Sequence, residues 1–258
     1  MTETVRARWR RVRGKCGRAG GLLLAFALVG LTMACSREPS KKALHARAMS
    51  PAAESRRAEE ERKMRALIAR LAAVPGLEHV LTHFTDSCTR PYNGSIFENN
   101  RSPHVLRCDM QAVAYFGVQG DIADVLRRIR AADIAAWGPQ DSAGRDVPHA
   151  AGTVTYALDY LRRHGRHPDG RTMPAPTLKA PGLQLDWDSP DTPLPHRVNE
   201  PTPCPTIDLG EIHQRCTTHP ESPTSLTAAR TRYGTILSLN LGGWGSSASE
   251  YFTVPRGK

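Results

Sequence analysis

Residues 106–131 constrain what this 258-residue chain can fold into more tightly than any other stretch. Leu106, Cys108, Met110, Ala112, Ala114 and Phe116 alternate with Arg107, Asp109 and Gln111, the period-2 pattern of a strand buried on one face. Gly117-Val118-Gln119-Gly120 then turns the chain. Asp121 caps a helix whose Ile122, Val125, Leu126 and Ile129 fall at i, i+3, i+4 and i+7, and Asp124 mimics a capping box. A strand and a helix that are each apolar on one side must share a core, which predicts helices layered on a sheet.

Other segments extend that layer. Residues 54–63 are charged on every helical face, and Met64, Leu67, Ile68 and Leu71 then form one stripe, so this helix docks by its C-terminal half until Pro75-Gly76 stops it. Residues 77–86 read as a strand leading to Cys88. Residues 153–161 alternate Val154, Tyr156, Leu158 and Tyr160 with polar neighbours, which predicts another strand. Residues 174–205 hold nine prolines, with one short strand at 183–187. Residues 233–241 and 251–254 flank a glycine-rich turn and read as a hairpin. The expectation is α+β: one domain over 54–258, with an antiparallel sheet of about five strands. Two helices, near 60–73 and 121–131, lie on one face, and disulfides staple the whole.

The N-terminus decides the compartment. Seven basic residues and one acid precede residue 19, and an uncharged, largely apolar run follows until Arg37. This is the layout of a secretory signal. Leu31-Thr32-Met33-Ala34-Cys35 resembles the lipobox of bacterial lipoproteins; Ala34 fits that pattern, while Thr32 and Met33 depart from it. The resemblance implies a signal peptide over 1–34 and a diacylglyceryl group on the Cys35 thiol. A flexible tether over 35–53 would follow, with membrane attachment through the lipid on the outer face of the cell membrane. An uncleaved transmembrane anchor and a plain secretory signal cut near Ala34 are the alternatives. Segments at 110–118, 137–139 and 156–160, within a span of about 85–190, also resemble uncharacterised lipoproteins of GC-rich Gram-positive bacteria. That resemblance implies location and no chemistry.

Export reframes charge and cysteines. Residues 1–34 hold seven of the 35 basic residues and one of the 25 acids, so the formal charge of +10 falls to +4 for the rest, and no nucleic-acid partner is expected. Cys88, Cys108, Cys204 and Cys216 remain, an even number for an oxidising compartment. Local pairing predicts Cys88–Cys108 and Cys204–Cys216. A zinc site is the alternative, though neither pair has CxxC spacing.

Candidate chemistry is sparse. His79 and His83, four apart, would share a face and could reach one metal, but Val80 stands where H-E-x-x-H needs Glu. His164, His167 and Asp169 occupy a basic turn. Asp186 and Asp188 would project from one side of a strand, as paired carboxylates for acid–base work do. Ser247, in Gly245-Ser246-Ser247-Ala248-Ser249, lacks the strand-to-helix setting of a nucleophile elbow. Trp137, Trp187 and Trp244 could line a cleft. No catalytic residue, metal or cofactor is assigned. The expectation is a non-enzymatic envelope module that binds a cell-wall component, a small ligand or a partner protein. The alternative is an extracytoplasmic hydrolase using Asp and His groups.

Overall fold

The longest strand, β2 (His104–Val118), is the axis of the sheet. The computed structural model describes residues 38–92, 101–147, 149–204, 211–242 and 250–256, and residues 39–256 fall in one compact unit. Cys35, the expected signal peptide over 1–34, Trp244 and Ser247 lie outside the described residues. Among the described residues no helix is long and apolar enough to cross a membrane.

In chain order the elements are α1 (Lys41–Ala48), α2 (Pro51–Ala72), β1 (Leu77–Thr89), β2, α3 (Ile122–Ala131), α4 (Val154–Arg162), β3 (Leu178–Ala180), β4 (Leu183–Trp187), β5 (His213–His219), α5 (Leu226–Tyr233), β6 (Thr235–Leu241) and β7 (Glu250–Pro255). The architecture is α+β, with an antiparallel sheet ordered β3-β4-β6-β2-β1-β5 and β7 also paired to β2. The sheet has seven strands, two more than the sequence reading gives it. β6 lies along the C-terminal half of β2 and β7 along its N-terminal half. The predicted hairpin is therefore absent: β6 and β7 are both partners of β2, placed end to end.

The period-2 pattern of β2 has the predicted consequence. Met110, Ala112, Ala114, Phe116 and Val118 face a core shared with Phe84 of β1, Leu237, Leu239 and Leu241 of β6, and Leu185 and Trp187 of β4. Helices α2, α3 and α4 close that core through Ile68 and Leu71, Val125 and Ile129, and Val154 and Ala157. Trp137 belongs to it as well, so both described tryptophans fill the core and line no cleft. A helix, α5, covers part of the opposite face. Tyr233 at its end packs directly over Gly117, where a Cβ would stand 2.2 Å from the ring.

Three further expectations need correction. Residues 153–161 are helical, because Val154, Ala157, Leu158 and Leu161 also fall at i, i+3, i+4 and i+7, and Thr153 caps the helix by accepting from the Tyr156 N–H. The tether ends early: Ser40 caps α1, Leu44 and Ala48 are buried, and Ser50-Pro51 starts α2 at once. The charged first half of α2 is docked too. Arg57 is 8% exposed because Asp86 of β1 waits beneath it.

The two disulfides pair as expected. Cys88 and Cys108 sit directly opposite one another on β1 and β2, fully buried on the helix-covered face. Cys204 is bonded to Cys216 of β5.

Candidate functional site

Alternation on the strands gives the sheet a second face, and its side chains are mostly polar. One row across it carries Asp186 of β4, Ser238 of β6, Tyr115 of β2 and Leu81 of β1; the next carries Gln184, Asn240, Val113, His83 and Thr218 of β5. A third carries Gln111, Thr85 and Cys216. Helix α5, with Leu226, Ala229 and Val198, covers only the end near Leu81, Tyr115 and Ile236.

The rest of this face is crossed by residues 196–204, from the proline-rich stretch. The segment is fixed at both ends. At the β4 side, Asp188 Oδ1 accepts from the Val198 N–H at 2.7 Å, while its Oδ2 accepts from the Ile236 N–H at 3.0 Å and pairs with Arg230 Nε at 2.8 Å. Arg230 also donates to the Val198 carbonyl. At the β5 side the Cys204–Cys216 bond holds it. Cys204 follows Val198 by six residues, and Val198 itself packs against Leu81, Tyr115 and Ile236.

Between strap and sheet lies a cavity of about 350 Å³. Its floor is His83, Thr85, Gln111, Tyr115, Ser238 and Asn240, and Asn199, Glu200 and Thr202 of the strap line its other side. Asp186 and His196 form one wall, with His196 Nε2 3.0 Å from Asp186 Oδ2. Burial, reinforced by the negative charge of Glu200, pushes the Tyr115 phenol up to about 12, so it is a neutral donor. Burial also lowers the pKa of His83, which keeps that imidazole neutral. The cavity therefore offers hydroxyl, amide and neutral imidazole groups, with two carboxylates at its edge: Asp186, paired with His196, and Glu200 of the strap.

The residues singled out from sequence scatter. Asp186 and His83 come together here. Asp188 does not: it is 5% exposed and anchors the strap, so the two aspartates have separate tasks. His79 and His83 point to opposite faces, because a bulge between His79 and Leu81 shifts the register. His79 packs edge-on against Phe116 and bonds Thr82, and burial followed by the nearby His219 lowers its pKa. Asp169 pairs with Arg171 in an exposed turn. His164 lines a larger depression between α3 and α4, about 960 Å³, where Arg127 pairs with Asp124, Arg162 and Arg163 pair with Asp159, and Arg130 donates to the Thr155 hydroxyl.

Sequence reasoning missed Tyr115, Ser238, Asn240 and His196. The first three were legible as the polar alternates of strands recognised by their apolar positions. His196 carried no signal, since its place depends on the path of the strap. No family model, curated protein or solved structure matches the chain.

Proposed function

We propose that the chain is an exported, lipid-anchored envelope protein whose strapped sheet face binds a cell-wall component or a partner chain on the outer side of the cell membrane. The observation that carries the binding reading is the polar cavity itself. A sheet face that bears Gln111, Tyr115, Ser238 and Asn240 under a segment fixed at both ends is a preformed site, rich in donors and acceptors. Preformation lowers the ordering cost of binding. Export is supported by closure of all four downstream cysteines into disulfides, which suits an oxidising compartment.

Two measurements test the reading. Intact-mass analysis of the mature protein is expected to give an N-terminus at Cys35 bearing diacylglycerol; an unmodified N-terminus elsewhere refutes the anchor. Titration of the isotope-labelled protein with soluble peptidoglycan fragments is expected to move the amide signals of Tyr115, Ser238 and Asn240. Asn240→Ala should weaken that response. If fragments move only signals outside the cavity, the strapped face is not the binding surface. Hydrolysis of the fragments during the titration would replace the binding role with an enzymatic one based on Asp186 and His196.

A further inference from the structure

The strap's disulfide has a third donor beside it. We propose that Cys204, Cys216 and His83 form a zinc site in the dithiol state of the protein. One ligand atom from each of the three lies within 4.8 Å of the other two. His83 Nε2 stands 3.3 Å from Cys216 Sγ. In tetrahedral zinc, with Zn–S about 2.3 Å and Zn–N about 2.0–2.1 Å, a nitrogen and a sulfur ligand are about 3.5 Å apart. The pair is thus close to ligand spacing already.

The imidazole is also oriented for this task. His83 Nδ1 lies 3.2 Å from Thr218 Oγ1 on the neighbouring strand. With the Nδ1–H donated to that hydroxyl, Nε2 turns its lone pair toward Cys216, the outer-shell arrangement that fixes metal-binding histidines. Burial favours the neutral imidazole that a metal requires. The three donors are part-exposed, whereas Cys88 and Cys108 are fully buried, so a reductant reaches the strap's bond first.

The chemistry balances with a dithiol as reductant. It delivers two electrons and two protons, the Cys204–Cys216 bond opens to two thiols, and the reductant closes to its own disulfide. Zinc then displaces the two thiol protons and takes two thiolates and the imidazole. Three protein ligands leave the fourth position to water or to a ligand in the adjoining cavity, which His83 also lines. Zinc would hold the strap where the disulfide holds it now. CxxC spacing is unnecessary because the strap, not a turn, delivers Cys204 to β5.

The test uses the full mature chain. It is reduced gently, freed of reductant without oxygen, mapped by thiol alkylation and titrated with zinc against a chromophoric chelator. The expected result is alkylation of Cys204 and Cys216 and uptake of one zinc per reduced chain, with none taken up by the oxidised chain. His83→Gln, which leaves both disulfides intact in the starting protein, should weaken uptake at least tenfold, and Thr218→Val about tenfold. Any one of four results overturns the proposal: no uptake by the reduced chain, undiminished affinity in His83→Gln, prior reduction of Cys88 and Cys108, or loss of the far-ultraviolet circular dichroism on reduction. The readout is zinc alone, so it stands or falls separately from wall-fragment binding.

Discussion

The two faces of this sheet are made from the same strands and have opposite chemistry. One is covered by four helices, α1 to α4, and is apolar, interrupted by a buried ionic cluster: Arg57 Nε lies 2.7 Å from Asp86 Oδ2, the Tyr251 hydroxyl donates to Asp86 Oδ1 at 2.6 Å, and His213 and Arg215 approach the same carboxylate. The other is covered by one short helix and a strap of extended chain, and keeps its polar side chains at a cavity. Each has its own disulfide, buried between paired strands on the first and part-exposed at an edge strand on the second. The difference teaches that cover decides role. Helices bring large apolar stripes and exclude water, whereas an extended strap has too little apolar surface to do so and leaves groups free to meet a ligand.

The largest expected break falls on the helix-covered face. Asp86→Ala leaves Arg57 buried without its counter-ion and should cost about 3–5 kcal/mol in chemical denaturation. Met110→Ala on the same face should cost about 2–5 kcal/mol by opening a cavity.

The disulfides come next. Replacing either cysteine pair by serine should cost about 3 kcal/mol, from the loop entropy of 20- and 12-residue separations. They are distinguished by where protection is lost: only Cys204→Ser with Cys216→Ser should speed amide exchange at Val198, because the strap then has one anchor.

The dependence on pH should be smaller and shared by both faces. Burial lowers the pKa of His79, His83 and His213; for His213 the pull of Asp86 upward and the push of Arg57 downward follow. Unfolded imidazoles titrate near 6.5. Below that pH the unfolded chain binds more protons than the folded one. Stability is therefore full above about pH 6.5 and declines as pH falls below it, seen as a falling denaturation midpoint. His83→Gln should flatten part of that decline; an unchanged slope would mean its neutral form is not favoured by the fold.

The smallest effect sharpens the contrast most. Gln111 is the chain neighbour of Met110 but points to the strapped face, and Gln111→Ala should change stability by no more than about 0.5 kcal/mol. It should nevertheless reduce the response to wall fragments. Equal destabilisation by the two neighbours would show that the strapped face is packed as core.

Much of the fold was legible. The apolar alternation of β2, the stripes of α2 and α3 and the local cysteine pairs are one-dimensional patterns with one dominant physical solution. Residues 153–161 were not, since Val154, Tyr156, Leu158 and Tyr160 satisfy a strand period while Val154, Ala157, Leu158 and Leu161 satisfy a helical one. The capping bond from Tyr156 N–H to Thr153 and the packing of Ala157 against the core favour the helix. The docking of Arg57 was hidden because a charged residue reads as exposed until its buried partner, Asp86, is in place.

The sequence by itself determined the layers: period-2 and period-3.6 apolar patterns select a sheet with helices upon it, and four cysteines in two local pairs select their own bonds. Only the tertiary structure decided what the polar half of those patterns is for. A bulge at β1 sent His79 and His83 to opposite faces, Asp188 became the strap's anchor rather than a partner of Asp186, and the strap carried His196 to Asp186 and Cys204 to the side of His83. Cys204 and His83 meet through strand order and register, and His196 meets Asp186 through a local return of the chain at the Ser189–His196 bridge; local periodicity encodes neither.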